Sequence, residues 1–557
     1  MSLDRRFTKR ELLLAWGALA VLGVVVYLPH VLHGGFYLDD WSNGALTLQN
    51  PGGNSFSNIV DTYANATLFR PVLIFYVPAT YWVFGMHLWM HLAWASFLGI
   101  LVAWLLYAVL RKLEVPWIHA LAIAGLVLVY PWFDSTRLWI TGDQITVSTA
   151  LALGGLWLSL IGLERRSWSW HIPAMILLGL SILTYEITTP AIAAFGVIYV
   201  WRFGWQRAKY VWGANLLVVL ACGGWVLSHT TRTKQGLSGD FHHLWLIVKG
   251  GAEMVARSLL PVGPVRTALA LVLLGLVFAA GAIALWRAPR LFPKGPGMGL
   301  RGWLLLGGAG LALTVLGWIV FVPADPYYTP SIYGVTNRVN GVGGIAAIIL
   351  VYAAFGVAGT LIGRLVRGGW SGGGEGAKDR GGSRSVATAL VVTVGLGAVL
   401  GGLYLIVIHR HIGIWNSAYQ QEKTAMEKIR QTYPTLPDGT TIYTTEYAAY
   451  EALGVPILSA SWDLDGMVKL EYENGTLAAF PLLTGYHFSC GKDGLAVLGP
   501  PAEGAPNGEL MAETKAYDSI RVLSFGEERA FRPTNQAQCK RQVEGLEPGP
   551  FVEQYGY

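Results

Sequence analysis

The chain has 557 residues, 53% of them hydrophobic and 13% charged, with a mean hydropathy of +0.45. A soluble globular chain carries about 25% charged residues, so this composition excludes an ordinary soluble domain and makes lipid the main solvent. The formal charge of +6 is spread over loops between apolar runs, where basic residues set topology and meet anionic lipid, so it is no sign of nucleic-acid binding.

Apolar runs of about 20 residues, the length that crosses a hydrocarbon core, recur along the chain. Spans are expected at 11–32, 87–110, 117–133, 144–162, 171–185, 187–201, 211–229, 265–286, 302–322, 341–363 and 386–408. That makes about eleven transmembrane helices in a membrane domain covering 1–408. The first run lacks a small-residue cleavage motif and reads as a retained signal-anchor. An odd count puts the termini on opposite sides. Arg5, Arg6, Lys9 and Arg10, then Arg111, Lys112, Arg165, Arg166, Arg202, Arg207, Lys209, Arg287, Arg290, Lys294, Arg301, Arg364, Arg367, Lys378, Arg380 and Arg384 fall on one set of loops. The other set carries only Arg70, Arg137, Arg232, Lys234, Lys249, Arg257 and Arg338. By the positive-inside rule the N-terminus is cytoplasmic, in a plasma (inner) membrane, and the sparse loops are outside.

Residues 33–86 form a long first outer loop. It holds Asp39-Asp40, a carboxylate pair at the membrane edge, where charge is costly and marks function by default. One aspartate could take a proton from an attacking hydroxyl while the other orients a substrate, although an N-cap or a solvated loop pair also accounts for them. Trp41 follows directly. Arg70, in Phe69-Arg70-Pro71-Val72, suits a lipid phosphate or simple snorkelling. The apolar stretch 71–84 is too short to span and reads as a re-entrant or interfacial helix. His87 and His91 share a helix face, a spacing that permits a shared metal, but no nearby glutamate completes a zincin pattern and polar packing inside a bundle is the favoured reading.

The second outer loop carries Arg137, Trp139 and Asp143, and Glu186 lies in a tight outer turn. Residues 238–260 read as a second interfacial helix with Lys249, Glu253 and Arg257 on one face. Arg338 opens a late span. The run 368–385 is glycine-rich and reads as a flexible cytoplasmic linker. From 411 to 557 the composition turns polar, and a mixed α/β domain outside the membrane is expected. Its elements are a helix over 415–433, strands at 440–445 and 456–461, a hairpin turning at Asn474-Gly475, and another at Gly526. Cys490 and Cys539 both lie in this region, where a disulfide is permitted.

Taken in order, these features resemble the GT-C glycosyltransferases, in particular the protein O-mannosyltransferases and related branches. Asp39-Asp40 matches the acidic pair of the first outer loop and Phe69-Arg70-Pro71 the motif after it. His91 and its helix match the next segment. Tyr130-Pro131, Trp139 and Asp143 match the second-loop pattern, Tyr185-Glu186 a Lys-Glu pair, and Arg338 a late arginine. Tyr185 stands in place of the lysine and Arg70 in place of a histidine found in some branches. The tail resembles no known domain.

The resemblance implies inverting transfer of a sugar from a polyprenyl-phosphate donor to a hydroxyl on a lipid, glycan or protein acceptor, as in cell-envelope glycan biosynthesis. Asp39 is then the base, with Asp40 beside it. Arg338, Arg137 and Arg70 hold the donor phosphate, and Glu186, Trp41, Trp139, Asp143 and His91 contact substrate. No metal ligands are expected; a divalent metal is compatible but not predicted, and no cofactor is specified. A lipid-carrier or solute transporter and a non-catalytic, glycan-binding envelope protein are the alternatives. A transporter calls for ionisable groups at mid-membrane, whereas these cluster at one edge. A reporter fused after Tyr557 should be active only in the extracytoplasmic compartment; activity in the cytoplasm overturns the expected sidedness.

Overall fold

The computed structural model describes residues 8–46, 48, 55–230, 237–263, 266–287, 298–324, 327–368, 376–499 and 514–549. Arg5, Arg6, Arg232, Lys234, Arg290 and Lys294 lie outside the described residues, as does part of the expected linker, 369–375.

The chain is mostly helical. α1 (Lys9–His33) is followed by three loop helices, α2 (Asp39–Ala45), α3 (Phe56–Thr67) and α4 (Leu73–Phe84). Then come α5 (Leu88–Lys112), α6 (Trp117–Leu128), the single turn α7 (Ser135–Leu138), α8 (Asp143–Arg165), α9 (Trp168–Thr184), α10 (Thr189–Phe203) and α11 (Trp205–His229). α12 (Leu237–Leu259), α13 (Thr267–Arg287), α14 (Leu300–Ile319), α15 (Gly341–Gly368) and α16 (Gly376–Thr432) complete the helical part.

Each expected span coincides with a helix, but only eight helices among the described residues are long and apolar enough to cross a membrane. α6, α9 and α10 have 12, 17 and 15 residues. At about 1.5 Å per residue they fall short of a core about 30 Å thick. α6 stops early because Pro131 forces Tyr130 into an extended conformation, ψ 118°. The expected linker is also corrected: α16 begins at Gly376, so the helix takes in the second half of that run.

The carbonyls that α6 leaves open at its end must be satisfied inside the protein. Arg137 does this. Its guanidinium donates to the carbonyls of Val127, Leu128, Tyr130 and Phe133 at 3.1–3.3 Å. Tyr27 adds a hydroxyl bond of 2.8 Å to the Leu128 carbonyl.

α16 runs without a break from the membrane part into the tail. There β1 (Thr441–Thr445), β2 (Tyr450–Ala452), β3 (Val455–Pro456), α17 (Ser461–Glu471), β4 (Ala478–Pro481), β5 (His487–Cys490), β6 (Leu495–Leu498), β7 (Ile520–Ser524), β8 (Arg529–Phe531) and α18 (Gln536–Gln542) form the mixed part. The main sheet has the order β4-β1-β7-β8, with β1 parallel to both neighbours and β8 antiparallel to β7. β1 and β7 are buried along their whole length, as central parallel strands are.

The expected hairpin at Asn474-Gly475 does not form. Leu464, Met467 and Val468 are buried at helical spacing, so 461–471 becomes α17, the crossover between parallel β1 and β4. Asn474 instead caps the turn into β4 by accepting from the Thr476 amide at 2.9 Å. The expected strand at 456–461 shrinks to β3, because Leu458 takes φ +48° and Ser461 opens α17. Cys490 and Cys539 are joined by a disulfide, Cα atoms 5.8 Å apart, which fastens α18 to β5.

The tail shares a core with the first loop. Phe36, Trp41, Tyr81 and Leu92 pack in one cluster with Ile442, Leu464, Met467, Val468 and Ala479. A second cluster around Tyr443, Phe488, Val497 and Val522 belongs to the tail itself. Glu11–Arg111, Lys112–Glu164 and Arg202–Glu114 ion pairs of 2.5–2.7 Å close the opposite ends of the spans.

Arg137→Lys offers one ammonium where four carbonyls need a fork, so it should lower stability by about 2 kcal/mol or more. Thermal unfolding of detergent-solubilised protein measures this. Unchanged unfolding would show the guanidinium to be dispensable there.

Candidate functional site

A cavity of about 570 Å³ lies where the loops after α1, α9 and α14 meet the starts of α8 and α15. Its wall includes Asp39, Arg70 and Arg338, the rings of Tyr63, Tyr185, Tyr327, Tyr328, Trp139 and Trp462, and the polar side chains of Ser42, Asn43, Thr67, Thr141 and Gln144.

The two aspartates part at once. Leu38 sits at φ +48°, ψ −118°, a conformation that costs an L-residue about 1–3 kcal/mol. This turn starts α2, and successive helical residues point about 100° apart. Asp39 faces the cavity, and its Oδ1 accepts the Trp462 indole N–H at 2.8 Å. Asp40 turns inward and is fully buried. Its Oδ2 accepts the Tyr37 amide at 3.0 Å; its Oδ1 accepts the amide and hydroxyl of Thr141 at 2.8 and 2.6 Å. Burial pushes the Asp40 carboxyl up to about 7, against the pull of the Thr141 and Tyr37 donors and with the help of Asp39. Asp40 therefore ties the first loop to the second and does not line the cavity.

The three arginines also separate. Arg70 reaches the cavity but is held in a two-point pair with Glu186, 2.6 and 2.9 Å, under the Tyr185 ring at 3.6 Å. Arg338 is half-buried. Its guanidinium donates to the Val335 carbonyl at 2.6 Å and lies 5.1–5.6 Å from the ring centres of Tyr327, Trp139 and Tyr328. Among the described residues it has no carboxylate partner. Gly334, at φ +36°, lets the Arg338 loop abut Gly454, whose carbonyl accepts the Val335 amide at 2.7 Å. Arg137 is not at the cavity; it is spent on the carbonyls described above.

Of the other expected contacts, only Trp139 lines the cavity, its indole N–H donating to the Tyr37 carbonyl at 3.0 Å. Glu186 acts on the site through Arg70. Trp41 is buried and donates to Glu422 at 3.1 Å, linking α2 to α16. Asp143 is buried and accepts from the Tyr76 hydroxyl at 2.6 Å. His91 bonds the Gly85 carbonyl at 2.9 Å and packs among Phe36, Tyr81 and Phe84. Among the described residues no three His, Cys, Asp or Glu side chains converge as metal ligands.

Thr141, Tyr327, Tyr328 and Trp462 escaped the sequence reading. Tyr327-Tyr328 just past a span end is the usual place of interfacial aromatics, a signal that was available. Trp462 carried none, because its helix was read as a strand and a hairpin.

A second, apolar cavity of about 830 Å³ lies between α12, α13, α14 and α15. Thr314 and Trp318 are its only lining side chains with a polar atom. Trp318 and Ile319, near the end of α14, are among its lining residues.

No protein-family model and no curated protein matches the chain. Among solved structures it is similar to the crystal structure of the Archaeoglobus fulgidus oligosaccharyltransferase tethered to an acceptor peptide through a disulfide bond. The TM-score is 0.39 at 12% identity, over 86% of this chain and 65% of that one. The chain thus spans under two thirds of that enzyme's length. A score of that size is too low to argue from, and the functional reading stands on the cavity.

Asp463, which caps α17 by accepting the Ala460 amide at 3.0 Å, is pushed up to about 8 from 3.8 by burial, against its backbone donors and with the help of Asp39. The folded chain then holds a proton there that the unfolded chain has lost, so its contribution to stability is full below pH 3.8 and falls as pH rises towards about 8. The stability of the wild type relative to Asp463→Asn should fall across that window in thermal-unfolding series; a flat difference would refute the shift.

Proposed function

We propose that this protein is a membrane glycosyltransferase that moves a sugar from a polyprenyl-phosphate donor to a hydroxyl acceptor, with inversion at the anomeric carbon. The observation that carries the reading is the composition of one cavity wall at the ends of the spans: a carboxylate, two guanidiniums and a ring of aromatics. A phosphate that gathers charge as it leaves needs fixed cations, and a sugar hydroxyl needs a base.

In this reading Asp39 takes the proton of the acceptor hydroxyl. The freed oxygen attacks the anomeric carbon, and the bond from that carbon to the phosphate oxygen breaks with its electron pair. Arg338 meets the departing phosphate. It is the better candidate of the two cavity arginines because Glu186 already neutralises Arg70. Arg70 then shapes the wall and adds field rather than a full unpaired charge. Asp40, braced by Thr141, fixes the turn that presents Asp39. The apolar cavity between α12, α13, α14 and α15 has the hydrocarbon lining that an isoprenoid tail calls for. The extracytoplasmic sidedness follows from the basic-residue asymmetry and is part of the same proposal.

Asp39→Asn keeps the shape and removes the base, so transfer should fall by about 10²-fold or more. Arg338→Ala should fall by about 10²–10³-fold, with weaker donor binding. The assay follows labelled sugar from a panel of polyprenyl-phosphate sugars to lipid, glycan and peptide acceptors in proteoliposomes. Full transfer by folded Asp39→Asn would sink the mechanism.

A further inference from the structure

Among the described residues the tail reaches the cavity through Trp462, which meets Asp39. The indole N–H of Trp462 donates to Asp39 Oδ1 at 2.8 Å across 423 residues of sequence. Trp462 is 51% exposed, so hydrophobic burial does not hold it in place. What holds it is α17. The Asp463 side chain caps the start of that helix by accepting the Ala460 amide at 3.0 Å. At Gly466 the helix lies against the backbone of α2, where a Cβ would come within 2.5 Å of the Trp41 carbonyl.

α2, by contrast, is poorly held by its own sequence. It has seven residues, it starts from the strained Leu38, and its N-cap makes no side-chain bond. An isolated helix of that length does not hold itself in water.

We propose that Trp462 is a positioning residue for Asp39: its N–H sets the direction of the carboxylate, so the tail completes the catalytic unit. This rests on the glycosyltransfer reading above for its effect on turnover. The geometric part stands without it.

The test uses the full chain in proteoliposomes, with the donor and acceptor that the wild type turns over. Trp462→Phe keeps the ring and removes the N–H, so kcat should drop roughly 10- to 100-fold, the worth of one hydrogen bond to a charged group, with donor KM little changed. Trp462→His restores a ring N–H and should recover part of the loss. Gly466→Ala, away from the cavity, should reproduce the Trp462→Phe signature by lifting α17 off α2. In an Asp39→Asn background Trp462→Phe should cost nothing further.

Wild-type kcat in Trp462→Phe, with a raised acceptor KM in Trp462→Ala, would show instead that the ring face binds the acceptor, and would overturn the proposal. So would losses that multiply in the double variant. Carbodiimide labelling of Asp39, read by mass spectrometry on monodisperse protein, separates this inference from the one it rests on. Labelling should speed up in Trp462→Phe whether or not any sugar is transferred. Unchanged labelling overturns the positioning even in an active glycosyltransferase.

Discussion

The buried carboxylate of Asp40 is the tie on which the cavity depends. Three donors, from Tyr37 and from the amide and hydroxyl of Thr141, converge on its two oxygens. They join a loop that follows the first helix to one that precedes α8, about a hundred residues later. The Tyr81 hydroxyl holds the Asp40 carbonyl at 2.9 Å, and Trp139 holds the carbonyl of Tyr37. With both ends clamped, the turn at Leu38 keeps a conformation it would otherwise leave, and the neighbouring carboxylate is pushed onto the cavity wall. Burial already raises the Asp40 carboxyl, and without the donors that oppose the rise it would climb further and lose the contacts that fix its position.

The two cavity arginines show how one residue type is given two duties by its surroundings. Arg70 has its charge matched by Glu186 and its plane fixed against Tyr185, so it is a rigid strut with a polar edge. Arg338 is held by one carbonyl and by ring faces. Those rings stabilise a cation weakly, by about 0.5–2 kcal/mol each, and leave its field directed at whatever enters. An anion therefore meets a nearly neutral group on one side and a preorganised positive one on the other.

Much of this was legible in the sequence, and the failures have physical causes. Helix positions followed from apolar runs because lipid leaves so few alternatives. Asp39 and Arg338 stood out because charge at a membrane edge is costly. Arg137 stood out for the same reason and misled: the early end of α6 before Pro131 creates orphan carbonyls, and nothing local distinguishes an arginine that serves them from one that serves a ligand. Asp40, Trp41 and Asp143 are polar groups consumed by long-range partners, which spacing along one segment cannot reveal; His91 is consumed by the nearby Gly85 carbonyl. In the tail, Asn474-Gly475 carried a hairpin signal, yet the burial of Leu464, Met467 and Val468 against β1 and the first loop favoured a helix. Trp462 was lost with that helix, and so was the link between the tail and the site.

The core shared by the tail and the first loop has a consequence for biogenesis. A ribosome delivers Asp39 to the membrane long before it makes α17, and the 423 residues between them take about 20–80 seconds to synthesise at ordinary rates. Throughout that interval Phe36 and Trp41 lack their partners from the tail, and α2 lacks the helix that packs along it. A nascent chain can thus place its spans in the membrane before the cavity wall at Asp39 is complete. Docking of α17 on α2 is thus a late step, and the contact between Trp462 and Asp39 forms only then.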